Sequence, residues 1–363
     1  MFDWIPIKRY YDVYYLLELY FLILLLMLNI KYGIYKNISI STSKLFGYIL
    51  LIFSLLYIGL RPISGRFIDM TTYHSFFQYF QTLSSFPTDI TTDKLFWFYM
   101  YVVSLAFNSQ MFFFITACLY ILPMYWVSRA NFKKLWFYCF FLFISSFSFF
   151  SYGTNGIRNG LAASVFLMAF STNRKLLQFF WLIVAYFIHG SMLLPAMAFL
   201  LASYYHNTNR LILFWLIAIP VSLVFGDNLQ TIFATLSTDD RTGYLTAGSD
   251  NEYAYLSGFR WDFLLYSGSA IFLGWYAKSR LNITSKKYDI IFGTYIISNL
   301  IWILVINASF SNRFAYLSWF MMPLVVSYPF LINQPDKPRE KMIMLITLGY
   351  FFFTFFMNFI YYR

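Results

Sequence analysis

Arg158 occupies the stretch Tyr152-Gly153-Thr154-Asn155-Gly156-Ile157-Arg158-Asn159-Gly160, which opens a predicted helix. A helix N-terminus offers unpaired N–H groups and a partial positive charge. A guanidinium in that first turn is unfavourable unless an anion joins it. Arginine grips phosphate or carboxylate through two parallel hydrogen bonds, so Arg158, with Asn159 beside it, suits an anionic substrate. The Gly156–Gly160 spacing predicts a close helix contact rather than a phosphate loop, since no Gly-Lys-Ser/Thr follows. A second cluster, Arg61, Arg66, Asp69, Tyr73 and His74, begins where an apolar segment ends. Its arginines suit a phosphate, and Asp69 suits a base or an orienting carboxylate; the plain alternative is a loop with a local Arg–Asp pair. His189, in Phe187-Ile188-His189-Gly190-Ser191, falls at the predicted level of Arg158. A lone histidine is commonly a structural hydrogen-bonder, yet imidazole also accepts protons near neutrality. Asp69 and His189 are thus two candidate proton acceptors. Arg241-Thr242-Gly243-Tyr244, Arg260-Trp261-Asp262 and Arg313-Phe314-Ala315-Tyr316 add cations beside aromatic rings, which suit sugar faces. Trp261 and Tyr316 fit an interfacial aromatic belt equally well. No His-Glu-x-x-His and no carboxylate cluster occurs, so neither a metal nor a cofactor is expected. Cys118 and Cys139 sit inside apolar runs and imply no disulfide framework.

The elements that position these residues are apolar. Of 363 residues, 60% are hydrophobic, 24% aromatic and 11% charged. Soluble domains carry roughly 25% charged residues, so an all-α polytopic integral membrane protein is the only class this composition fits. Apolar stretches near 13–30, 45–60, 111–127, 135–150, 157–172, 176–188, 190–205, 211–225, 263–277, 288–306, 314–331 and 342–360 make about twelve spans against the roughly 20 residues a bilayer requires. The segment Leu95 to Phe107 is too short and is expected to be re-entrant or interfacial. Thr71 to Leu83 is expected to form an amphipathic surface helix. The first apolar stretch lacks a cleavage signature after it and is expected to be a retained helix. One transmembrane domain, 1–363, is anticipated, with outer loops at about 61–110 and 226–262. No internal repeat or low-complexity tract is evident.

Lysine and arginine are sorted. Lys31/Lys36/Lys44, Arg129/Lys133/Lys134, Arg174/Lys175, Lys278/Arg280/Lys286/Lys287 and Lys337/Arg339/Lys341, with Arg210 in another, fall in the loops placed in the cytoplasm, 11 Lys and 5 Arg, against Lys8, Lys94 and eight Arg on the other side. The opposite face holds Arg61, Arg66, Arg158, Arg241, Arg260 and Arg313. The net charge of +11 is largely cytoplasmic anchoring and carries no implication of nucleic-acid binding. A general sorting of charge would not choose arginine over lysine, and guanidinium on that face suggests a large anionic substrate presented from the bilayer.

Three motifs in order carry a family resemblance. The first is an arginine with Gly65 to Asp69 and Tyr73 after the second apolar span. Then come Ile157-Arg158-Asn159-Gly160-Leu161-Ala162-Ala163-Ser164 and Ala185-Tyr186-Phe187-Ile188-His189-Gly190-Ser191. Together they resemble the EpsG-like branch of the Wzy polysaccharide polymerases. The chain departs from that pattern at Asn159, where glutamine is frequent, and at Arg66, where a small residue is common. The resemblance implies a bacterial inner-membrane, metal-independent glycosyltransferase of O-antigen (lipopolysaccharide) or exopolysaccharide assembly, similar to GT-C lipid-linked glycosyltransferases. It implies undecaprenyl-pyrophosphate-linked glycans as donor and acceptor at the periplasmic face, with room in the scheme for a chain-length regulator. Arg158, Arg241 and Arg313 would then hold the pyrophosphate, and Arg61, Arg66, Tyr73, His74, Asn159, Tyr244, Arg260 and Tyr316 would contact substrate. An O-antigen ligase and a lipid-linked oligosaccharide flippase are the alternatives. Transporters place ionisable residues near the midplane and often show repeated halves, neither of which this sequence displays.

Overall fold

The computed structural model describes residues 2–236, 258–308, 311–332 and 337–361, and all regular structure among them is helical. Six helical runs are long and apolar enough to cross a membrane: Ile7–Tyr32, Asn37–Gly59, Ser109–Ile144, Thr208–Gly226, Asn312–Leu331 and Arg339–Tyr361. Three more apolar helices, Ile157–Ser171, Lys175–Ile188 and Gly190–Tyr204, are shorter. The sequence expectation of about twelve spans therefore meets a mixture of long helices and short pieces. The chain divides into two compact units, Met1–Met192 with Phe330–Arg363, and Leu193–Pro329.

The first unit contains α1 (Tyr10–Tyr32), α2 (Asn37–Gly59), α3 (Ile68–Gln81), α4 (Lys94–Ser104), α5 (Ser109–Phe132), α6 (Trp136–Ile144), α7 (Phe149–Thr154), α8 (Ile157–Leu167) and α9 (Lys175–Ile188). The C-terminal helix, Lys337–Phe356, returns to pack on α1 and α6. Between α5 and α6 the chain turns at Lys133 (φ 46°), and α6 packs back on α5. Every residue of α6 is buried, so this all-apolar segment is an internal filler rather than a lipid-facing span. The expected spans at 135–150 and 157–172 resolve into α6, α7 and α8, each too short for a hydrocarbon core of about 30 Å at 1.5 Å per residue. In contrast, α9 turns only Leu182, Ala185 and Ile188 inward. Leu176, Phe179, Phe180, Ile183, Tyr186 and Phe187 stay exposed, a pattern suited to lipid.

Paired hydroxyls tie these helices together. Tyr10 and Tyr57 stack at 4.1 Å, and each hydroxyl donates to the other's carbonyl at 2.7 Å. Tyr138 on α6 donates to Asn29 on α1 at 3.0 Å. Between α2 and α5 lie the two outer helices. α3 buries Met70, Tyr73, Phe77 and Phe80, the spacing of one helical stripe; it begins three residues before the expected start. α4 covers 11 residues, roughly 16 Å, and packs on both α3 and α9. That is the short non-spanning helix anticipated at 95–107.

The second unit is built from α10 (Leu193–Tyr204), α11 (Thr208–Leu236), α12 (Trp261–Ser279), α13 (Lys286–Leu304) and α14 (Asn312–Trp319), followed by α15 (Met322–Leu331). α13 is its axis and touches α10, α11, α12 and α14. Interhelical polar contacts hold this packing, as membrane bundles commonly require. Buried Asn299 accepts from the Trp215 indole at 2.8 Å and donates to the Ser318 hydroxyl at 2.9 Å. Ser267 accepts from Trp319 through its hydroxyl at 2.7 Å and from Tyr295 through its carbonyl at 3.0 Å.

Candidate active site

Glycine fixes where the site begins. A Cβ at Gly160 would lie 2.5 Å from the Tyr152 carbonyl oxygen and 3.2 Å from the Tyr120 ring. The Gly156–Gly160 spacing thus serves close packing of α8 against α7 and α5. That packing sets the first turn of α8, from which Arg158 projects. Its Nε donates to the Tyr73 hydroxyl at 3.1 Å, and one terminal nitrogen donates to Asp93 Oδ2 at 2.8 Å. The guanidinium also lies over the rings of Trp97 (5.0 Å), Tyr73 (5.8 Å) and Phe96 (6.0 Å). The Arg158 side chain is 14% exposed, and its remaining terminal nitrogen has no hydrogen bond among the described residues. Two nitrogens fix the plane of the fork; the third is available to an anion.

Asp93 connects this arginine to the histidine motif. Its second oxygen, Oδ1, accepts the Gly190 N–H at 3.0 Å. His189 is buried, in the extended residue that ends α9. Its Nδ1 accepts the Ser191 N–H at 3.2 Å and contacts the Ser191 hydroxyl at 2.8 Å. Asp69 is exposed in the first turn of α3, where its N–H donates to Asn155 Oδ1 at 3.2 Å. Tyr73, the partner of Arg158, lies one turn further along the same face of α3, where i and i+4 side chains are neighbours. Asp69, Tyr73, Asp93, Arg158 and the Gly190 turn therefore come from 69 to 190 in sequence to one region of the first unit.

The remaining predicted residues separate into several environments. Arg61 is 1% exposed, and its guanidinium donates to the carbonyls of Ile58 and, at 3.0 Å, Thr154. It also lies over Phe113 and Phe67, at 5.2 and 5.6 Å. Burial draws its pKa down to about 9, still above neutrality, so its charge persists. This geometry makes Arg61 a clasp between the ends of α2 and α7. Arg66 is exposed. His74 turns to Ser109, with Nδ1 2.9 Å from that hydroxyl, tethering α3 to α5. The Asn159 side-chain amide oxygen, Oδ1, is buried without a hydrogen bond among the described residues. In the second unit, Arg260 makes a two-point pair with Asp262 at 2.9 and 2.6 Å and lies 3.7 Å over Phe263. Arg313 is exposed and Tyr316 is 2% exposed, which takes Tyr316 off the interfacial belt where Trp261, 56% exposed, remains. Arg241, Tyr244, Asp239 and Asp240 lie outside the described residues.

Asp93 and Trp97 were not among the sequence candidates. Trp97 at helical spacing from Asp93 was the one available signal, and the polar surroundings of Asp93 obscured it.

Six long apolar helices and an all-helical fold among the described residues are those of a polytopic helical membrane protein. The chain belongs to the EpsG family, whose model matches residues 44–363. Membership suggests polymerase-like work on polysaccharide. No curated protein and no solved structure matches the chain.

Proposed function

We propose that this protein is a Wzy-type polymerase that joins lipid-linked oligosaccharide repeat units at the outer face of a bacterial inner membrane. The acceptor hydroxyl oxygen attacks the anomeric carbon of the donor chain. The bond from that carbon to the undecaprenyl pyrophosphate oxygen breaks, and its electron pair leaves with the lipid pyrophosphate. Inversion at the anomeric carbon is the outcome the family analogy favours. Charge grows on the leaving group, so a preplaced guanidinium stabilises the transition state more than the ground state. Arg158 fits this task, and its geometry carries the proposal: two of its nitrogens are held by protein partners and the third is left for an anion. Asp69, exposed in the first turn of α3, takes the hydroxyl proton and passes it to solvent, whereas His189 Nδ1 is engaged by Ser191. No metal is assigned a part in this scheme. The finer topology of about twelve crossings with a GT-C-like arrangement belongs to the same proposal.

The test is deletion in the native host with inspection of surface polysaccharide. Loss of the long-chain ladder with single repeat units retained on their acceptor supports polymerisation. Loss of all attachment indicates ligation instead, and a trapped cytoplasmic intermediate indicates translocation.

A further inference from the structure

We infer that Asp93 is a positioning residue that sets the orientation of Arg158 and locks it to the His189–Gly190 turn; this rests on Arg158 as the pyrophosphate-binding group. Asp93 stands at the N-cap of α4, where an aspartate ordinarily accepts an N–H of its own helix. It makes no such bond, and its backbone is left-handed, at φ 51° and ψ 36°. Left-handed backbone is costly for most side chains and only tolerated by Asp and Asn. Local structure therefore does not account for this conformation; its distant partners do. One carboxylate oxygen takes Arg158 and the other takes the Gly190 N–H, from α8 and from the turn after α9. The Asp93 side chain is 6% exposed, so the pair is little screened by water.

The consequence is rotational. A guanidinium held only through Nε can swing its two terminal nitrogens around that axis. Asp93 pins one of them while Tyr73 holds Nε, so the open nitrogen keeps one heading. Asp93 also offsets part of the arginine's charge, which moderates binding of the resting pyrophosphate while leaving alignment intact. Removing the carboxylate charge should then lower kcat without weakening donor binding.

The experiment measures initial rates with a synthetic lipid-pyrophosphate-linked repeat unit, using full-length protein in lipid nanodiscs. Asp93→Asn is expected to lower kcat at least tenfold with the donor KM unchanged or smaller. In an Arg158→Lys background the same change should cost less than twofold, because the group it orients is already gone. A full tenfold loss in both backgrounds would show an effect independent of Arg158 and overturn the inference, as would wild-type kcat in Asp93→Asn. Should Asp93→Asn fail to fold, Gly190→Pro removes the N–H donor and places the ring Cδ where that hydrogen pointed, which pushes the Asp93 carboxylate off the turn. His189 is extended (φ −152°, ψ 119°), as a residue before proline must be, and no atom lies within 4 Å of a Cβ at Gly190. This variant should give a smaller kcat loss that also vanishes with Arg158→Lys; equal losses in both backgrounds would refute the link. Wild-type rate in Arg158→Lys alone would instead sink the pyrophosphate assignment itself.

Discussion

Replacing Arg158 with lysine separates charge from shape. Lysine keeps a cation beside Asp93, whereas alanine would strand a nearly buried carboxylate. Breaking a buried pair in that way costs about 3–5 kcal/mol and would confuse folding with function. A lysine ammonium is a point charge without a planar fork. It can reach either the Tyr73 hydroxyl or Asp93 Oδ2, now 3.1 and 2.8 Å from two different guanidinium nitrogens, but it cannot hold both and still present a third donor. Loss of one donor aimed at developing transition-state charge lowers the rate by roughly 10²–10³, or about 2.7–4 kcal/mol. Each added repeat unit suffers that factor, so long chains should vanish. The assay pairs initial rate and product length in nanodiscs with thermal unfolding of the same sample. A folded variant with a rate at least about a hundredfold down is expected. Wild-type chain length from folded Arg158→Lys protein would refute the role of the fork.

Tyr73→Phe removes the acceptor for Arg158 Nε; a hydrogen bond to a charged group is worth about 1.5–3 kcal/mol, so the rate should fall at least roughly tenfold, read as kcat at saturating donor. Asp69→Asn should lower the rate by about 10²–10⁴, the usual scale of a lost general base, read as kcat at saturating donor. His189→Gln, which can retain a polar group near the Nε2 position, should cost far less; the reverse order of effects would transfer the base role to His189. Gly160→Ala must push a methyl against the Tyr152 carbonyl, and overpacking of this kind costs about 1–3 kcal/mol. Its melting temperature should fall, whereas Gly65→Ala, with nothing within 4 Å of its Cβ, should melt like wild type.

Periodicity made the outer helices legible. Met70, Tyr73, Phe77 and Phe80 announce the buried stripe of α3, and the brevity of the 95–107 segment marks α4 as too short to cross. Periodicity fails for Trp136 to Ile144, because a helix apolar on every side reads alike whether lipid or protein surrounds it. Arginine sorting showed the same limit. It placed Arg61 with the substrate-facing cations, yet backbone carbonyls 3 and 93 positions away claim that side chain. Asp93 was illegible for a related reason. It ends a run of Thr88, Asp89, Thr91 and Thr92, the composition of a solvated loop, and its meaning comes from Arg158, 65 residues later. Short motifs reveal which residues carry chemistry; they do not reveal which distant groups hold them still.

The clasp formed by Arg61 has a consequence for biogenesis. Its far partner, the Thr154 carbonyl, is synthesised 93 residues after it. While the ribosome works through that interval, the guanidinium has its own-turn carbonyl at Ile58 and the rings of Phe67 and Phe113, but not its second carbonyl. The clasp at the end of the second helix is therefore complete only once the seventh has been made. A nascent chain stalled before Thr154 should leave Arg61 short of a partner and expose it to membrane quality control.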